Sequence, residues 1–242
     1  MRLDLYLSEY RLVDSRSDAK RFITSGSVSV DGKVILKPAF DVFGDEKIIV
    51  DKSSKKYVSR GGLKLESAIS AFEVNVNEAI AIDIGASSGG FTDCLLKNRA
   101  RHVIAVDSGS GQMVEVLRQD ERVTVIENYN ARYMEPSDFE YIPNLAVMDV
   151  SFISAKLIIP SVSKILEPGG DFICLIKPQF EVGKNGLGKG GIVKNSALRK
   201  KAVDEVVECA AFCGFDMLKL IESPITGGDG NVEYLAHFKK IK

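Results

Sequence analysis

A chain of 242 residues with 45% apolar content can bury a full hydrophobic core, and 27% charged residues with a formal net charge of −1 exclude disordered, fibrous and membrane-embedded classes. No window approaches eighteen uninterrupted apolar residues, and Met1-Arg2-Leu3-Asp4 lacks the basic-then-apolar pattern of a secretory signal, so a cytoplasmic protein without membrane attachment is expected. Cys94, Cys174, Cys209 and Cys213 stand inside apolar helix or strand patterns without a Cys-x-x-Cys pair, and both histidines fall in strands, which predicts reduced core thiols and no metal site.

The charge is unevenly divided. Residues 1–60 hold 12 Lys and Arg against 9 Asp and Glu, a balance of +3, leaving −4 for the remainder and pointing to an anionic partner for the N-terminal part. Leu3, Leu5, Tyr6 and Leu7 predict a first helix, and Ser15-Arg16-Ser17-Asp18 reads as a capping box opening a second, which Gly26 closes in a left-handed C-cap. A short strand around Val28 and Val30, the hairpin signal Asp31-Gly32 and a returning strand at Val34 and Ile35 follow. Arg11, Arg16, Lys20 and Arg21 lie on or beside the second helix, where they form either a phosphate-binding face or a solvated one. The polar run Asp51 to Lys56 marks a linker, dividing the chain into a small α+β domain over 1–60 and a larger one over 61–242.

In the second domain a helix with Leu63, Leu65, Ala68, Ile69 and Phe72 near its buried side leads to the apolar run 79–84. Further strands are expected near 102–106, 123–126, 145–149, 171–176, 216–222 and 233–239, with helices near 91–98, 111–118, 155–166 and 195–213. This alternation predicts an α/β, mostly parallel, doubly wound sheet, and the short connection Gly227 to Asn231 makes the last strand antiparallel to its predecessor.

The first strand ends in Asp83-Ile84 and passes into Gly85-Ala86-Ser87-Ser88-Gly89-Gly90-Phe91, a strand, glycine loop and helix start. The next strand ends in Asp107, where nucleotide-binding sheets hold ribose hydroxyls. The spacing departs from Gly-x-Gly-x-x-Gly and sets an acid before the first glycine, which suits S-adenosylmethionine better than a dinucleotide. A tight strand-to-helix turn without a ligand is the alternative.

Lys64, Asp149, Lys177 and Glu233 are far apart in the chain, yet this topology brings all four to the carboxyl edge of the sheet, where such folds bind ligands. Two lysines in mutual reach can yield a base, and two carboxylates can orient them, as a ribose hydroxyl would need. Asp149-Val150-Ser151-Phe152 lacks the prolines of amino methyltransferases, and Cys174 lies inside a strand, away from the position a pyrimidine-attacking thiol requires.

Arg2-Leu3-Asp4, Ser15 to Ala19, Ile23 to Lys33 and Lys37-Pro38 resemble the alpha-L RNA-binding domain. Ser59 to Leu65, Asp83 to Phe91, Val106-Asp107, Asn130-Ala131-Arg132, Asp149 to Ser154, Ile176 to Glu181 and Gly230 to Tyr234 resemble the FtsJ-like ribose 2'-O-methyltransferases. The whole chain is similar to the TlyA family of ribosomal RNA methyltransferases. The resemblance implies a Rossmann-like S-adenosylmethionine-dependent sheet and a catalytic tetrad of Lys64, Asp149, Lys177 and Glu233, with Lys177 the base. It implies that Asp83, Gly85, Gly89 and Gly90 hold the methionine end of the cofactor, Asp107 the ribose, and Asn130 and Ala131 the adenine, with Ser87, Phe91 and Asp149 also touching the cofactor. Arg2, Arg11, Arg16, Lys20 and Arg21 would contact RNA, and cytidine ribose in ribosomal RNA would be the substrate. Family members also carry the label haemolysin, so membrane lysis is a competing function, though the segment Leu157-Ile158-Ile159-Pro160 is too interrupted for a membrane span; an RNA-binding module on a sheet without catalysis is a third reading.

Overall fold

The computed structural model describes residues 1–13, 15–51, 56–183, 186–227 and 230–241. Residues 52–55 of the expected linker lie outside the described residues, as do Gly228 and Asp229 of the connection before the last strand. The chain separates into two compact units, Met1–Arg60 and Gly61–Lys242.

In the first unit, helices α1 (Leu3–Glu9) and α2 (Arg16–Thr24) precede a three-stranded antiparallel sheet of β1 (Val28–Val30), β2 (Lys33–Val34) and β3 (Ile48–Val50), ordered β2-β1-β3. Leu3, Leu7, Ala19, Phe22, Ile23 and Val28 form its core, since helical spacing turns the apolar residues of both helices inward. Half of the expected capping box is present: Ser15 Oγ accepts the Asp18 N–H at 3.1 Å, while its hydroxyl donates to the Asp18 carboxylate at 2.9 Å. Gly26 is left-handed at φ 71°, and a Cβ there would stand 2.7 Å from the Arg60 guanidinium. Asp31 and Gly32, at φ 50° and 78°, make the two-residue hairpin turn, and β2 stops at Val34, one residue short of the expected Ile35. Strand β3 is an addition to the predicted elements.

The second unit runs α3 (Gly61–Phe72), β4 (Ile80–Ile84), α4 (Gly90–Lys97), β5 (His102–Val106), α5 (Glu115–Arg118), β6 (Val123–Ile126), β7 (Leu145–Met148), α6 (Ile159–Ile165), β8 (Asp171–Ile176), α7 (Pro178–Glu181), α8 (Ser196–Phe212), β9 (Phe215–Glu222) and β10 (Tyr234–Lys240). The sheet order is β6-β5-β4-β7-β8-β10-β9; β4 to β8 are parallel, and β10 is antiparallel to both its neighbours. Chain order reverses between β4 and β7, which opens a crevice at their carboxyl ends. The central strands β4, β5, β7 and β8 are nearly continuous buried apolar runs, as expected of parallel strands covered on both faces, whereas the edge strand β9 is exposed over most of its length.

Two expected helices are shorter than predicted. Only Glu115–Arg118 of 111–118 is α-helical: Gly111 is left-handed at φ 67° and Val114 is extended at ψ 144°, and the Gly111 N–H is held by the Glu127 carboxylate at 3.0 Å. The segment 155–166 divides into a 3-10 turn, Ala155–Leu157, and α6. Pro160 has no N–H for the Lys156 carbonyl, which instead faces the Cys209 thiol at 3.6 Å.

Candidate active site

A cleft of about 630 Å³ opens at the carboxyl edge, a size suited to a nucleoside-bearing ligand. Of the residues expected at the cofactor, Gly85, Ser87, Asp107, Asn130, Ala131 and Asp149 line it. Gly85, at φ 85°, lies so close to β7 that a Cβ would stand 2.5 Å from the Asp149 carbonyl. Asp107 ties two walls together: Oδ2 accepts the Ser87 N–H and Oδ1 the Gly109 N–H, both at 2.7 Å, and each oxygen keeps a further lone pair. Asn130 caps a 3-10 turn by accepting the Arg132 N–H at 3.1 Å.

Asp83, Gly89, Gly90 and Phe91 are not on the cleft wall. Asp83 lies within β4 with no exposed surface; Thr92 donates to its Oδ2 at 2.6 Å, and Oδ1 has no hydrogen-bond partner among the described residues. Burial pushes this carboxyl up to about 7 against the weaker opposing pull of the Thr92 hydroxyl. Gly89, at φ 93°, admits Leu117: a Cβ would stand 2.3 Å from that leucine's Cδ1, so the glycine serves packing between α4 and α5. Gly90 and Phe91 are buried at the start of α4.

The four scattered ionisable residues come together as two ion pairs. Lys64, in the first turn of α3, reaches Glu233 Oε2 at 2.5 Å, with both side chains buried. Lys177, directly after β8, lies 2.6 Å from Asp149 Oδ1 and donates a hydrogen bond to Ser151 Oγ at 2.7 Å. One step past the Tyr234–Ile176 pair, the β10–β8 register reaches Glu233 and Lys177, which sets the two ion pairs side by side. Two lysines thus meet two acids, one each, where sequence reasoning had the lysines acting on one another.

Other polar residues of the site escaped the sequence reading. Gln179 Nε2 is 3.4 Å from Glu233 Oε1, and Ser151 joins Lys177 as described. Tyr129 lines the cleft and donates its hydroxyl to Asp138 at 2.5 Å. Burial, with the Asp138 charge, pushes that phenol up to about 12. The nearest signal in the sequence was the adjacent Asn130-Ala131 motif. Cys174 is buried with its thiol pushed up by that burial, which disfavours a thiolate. Among the described residues no group of His, Cys, Asp and Glu is arranged to hold a metal ion.

In the first unit, the expected RNA contacts are partly engaged with acids. Buried Asp4 accepts from Arg2 through two bonds of 2.9 Å and from Arg16 at 3.3 Å, and Arg2 above all holds that carboxyl below its usual range. Both arginines remain about half exposed, so Asp4 orients them without covering them. Arg21 pairs with Asp18 at 2.6 Å, and Arg11 and Lys20 are exposed, Lys20 one turn beyond Arg16.

The FtsJ-like methyltransferase family matches residues 57–240, and the S4 domain matches residues 1–48. The chain is 46% identical over 237 residues to YqxC of Bacillus subtilis, named as a candidate rRNA methyltransferase, covering 98% of this chain and 84% of that one. It is 40% identical over 234 residues to the Mycobacterium tuberculosis protein TlyA, named a 16S/23S rRNA (cytidine-2'-O)-methyltransferase, covering 96% and 87% respectively. A solved structure from Streptococcus thermophilus, described as a candidate hemolysin, is 44% identical with a TM-score of 0.80, covering all of this chain and 89% of that one. The chain therefore belongs to the FtsJ-like methyltransferase family, in the TlyA branch that carries an S4 domain ahead of the catalytic unit.

Proposed function

We propose that this protein transfers a methyl group from S-adenosylmethionine to the ribose 2'-hydroxyl of cytidine in ribosomal RNA. The observation that carries the reading is the pairing of Lys177 with Asp149, and of Lys64 with Glu233, at the strand ends beside a nucleoside-sized cleft. Curated relatives named for this reaction support it.

The residues present fit the cofactor. Asp107 retains lone pairs for ribose hydroxyls, and Asn130 and Ala131 offer a wall of the cleft for the adenine. S-adenosylmethionine, when bound, supplies an electrophilic methyl group on a cationic sulfur. The protein's own part is to hold and deprotonate the attacking oxygen. In this account Lys177 first releases a proton to solvent, its neutral Nζ then takes the 2'-hydroxyl proton as the oxygen attacks the methyl group, Asp149 and Ser151 fix the direction of that amine, and the Lys64–Glu233 pair braces the neighbouring strand end and steers the ribose. The cations of α2 and the N-terminus grip the RNA backbone in an orientation that fixes register rather than sequence. A ribosomal RNA substrate accords with work in the cytoplasm.

The hemolysin description shared by a relative gives a second reading, but no helix of the described residues is long and apolar enough to cross a membrane. Incubation with labelled cofactor and separated ribosomal subunits tests the proposal. Label in alkali-resistant cytidine dinucleotides is expected; cofactor binding with no label in any ribosomal RNA would refute it.

A further inference from the structure

We propose that Glu181 is a positioning residue for methyl transfer: its buried carboxylate fastens the loop that carries Asp149 and Ser151 to the turn that carries Lys177. The proposal rests on the reading of Lys177 and Asp149 given above.

Glu181 ends α7, the single helical turn that begins directly after Lys177, and the Phe180 N–H bonds back to the Lys177 carbonyl at 2.9 Å. Glu181 and Lys177 are thus joined through one short hydrogen-bonded turn. The Glu181 side chain is 2% exposed, and both its oxygens are spent on the opposite loop. Oε1 accepts the Ala155 N–H at 2.8 Å and Oε2 the Ser154 hydroxyl at 2.6 Å, across 26 and 27 residues of sequence.

Three contacts then run in step along the two segments. Lys177 meets Asp149 and Ser151 at one end, the Phe180 and Phe152 rings lie 5.3 Å apart in the middle, and Glu181 meets Ser154 and Ala155 at the other end. Phe152 has φ 64°, a left-handed backbone that non-glycine residues avoid. Such a conformation persists only where the surroundings over-determine it, and the stitching on both sides does so. The charge is balanced without reference to the lysine pairs: Lys156 stands 3.8 Å from Glu181 and 2.5 Å from Glu205 of α8, which ties the clamp to the helical layer. Without Glu181, the Ala155 N–H at the start of its 3-10 turn has no acceptor within that turn, and the loop loses its far anchor.

The test is the single-turnover rate of methyl transfer to ribosomal RNA, at saturating cofactor and RNA, with thermal melting and cofactor affinity measured alongside. Glu181→Ala is expected to lower the rate about 100-fold, the scale of a displacement of roughly 1 Å in a catalytic group. Glu181→Gln keeps an acceptor for Ala155 and an amide for the Ser154 oxygen, and is expected to recover to within about tenfold of wild type. A wild-type rate in Glu181→Ala, or a rate that falls only in step with the unfolded fraction, overturns the proposal. Should Glu181→Ala not fold, Glu181→Gln combined with Ser154→Ala must still lose about tenfold relative to Glu181→Gln alone, the loss of one hydrogen bond, and an equal rate overturns the proposal. Lys177→Ala is the control that separates the two failures. If it is inactive while Glu181→Ala is unimpaired, only the clamp is wrong; if it is fully active, the reading of the site is wrong.

Discussion

Glu233 and Lys177 stand opposite each other one step beyond the last paired residues of β10 and β8, yet each is engaged with a different partner. Glu233 takes the lysine of α3, and Lys177 takes the acid that follows β7. The antiparallel final strand makes this possible, because it brings the start of β10 to the edge where β7 and β8 end.

The Lys64–Glu233 pair is almost fully buried, so removing one partner strands the other charge. Glu233→Ala is expected to destabilise the protein by about 3 kcal/mol or more, read as a lowered Tm. Lys64→Met combined with Glu233→Leu should recover most of that stability without restoring methyl transfer. A double variant that melts normally and retains activity would show the pair to be scaffolding alone.

Asp107 should matter to cofactor binding rather than to the chemical step. Asp107→Ala is expected to weaken S-adenosylmethionine binding roughly 10- to 100-fold by calorimetry, the scale of losing charged hydrogen bonds and of loosening the Ser87 and Gly109 backbones it holds. An unchanged dissociation constant would contradict the ribose assignment.

Asp83 makes the stability of the cofactor-free protein depend on pH. Its carboxyl titrates at about 7 in the folded protein, against 3.8 for the ordinary group. Between those values the unfolded chain releases a proton that the folded chain keeps, so stability falls as pH rises from about 4 to about 7 and this contribution is level above. The total is roughly 4 kcal/mol from about 1.4 kcal/mol per pH unit. Asp83→Asn should therefore melt higher than wild type at pH 8 and lose this component of the decline between pH 5 and 8. Identical pH dependence in the two proteins would show that the buried carboxyl does not hold its proton.

On the N-terminal unit, Arg16 and Lys20 lie one turn apart on α2, with Arg16 aimed by Asp4. Replacing both with alanine should weaken RNA binding and make its log–log salt dependence shallower by roughly one to two units, about 0.7 to 0.9 for each phosphate no longer neutralised. An unaltered slope would put the docking surface elsewhere.

Much of this architecture was legible in the chain because the central strands of the large sheet are apolar runs with glycine or charged punctuation; the span of β8, 171–176, was read directly. Strand β3 was missed because three residues between Asp45-Glu46-Lys47 and Asp51 are too few to display a period. The helix expected over 111–118 shrank because Gly111 is left-handed and its N–H is held by Glu127, sixteen residues away, a contact that no local pattern displays. The convergence of Lys64, Asp149, Lys177 and Glu233 followed from topology alone. Their division into two pairs did not, since pairing depends on side-chain reach and register. Glu181, Ser151 and Gln179 sat unremarked inside motifs for the same reason: an acid four residues after Lys177 shows its purpose only when residues 154 and 155 fold against it.

The most direct test of the proposed chemistry is the nucleoside composition of ribosomal RNA treated with wild-type protein and with Lys177→Ala, alongside the cofactor affinity of each. Wild-type protein is expected to give 2'-O-methylcytidine, and the variant at least about 100-fold less while still binding S-adenosylmethionine, as follows when a proton acceptor is removed. A methyl group found on the base, or undiminished 2'-O-methylcytidine from Lys177→Ala, would contradict it.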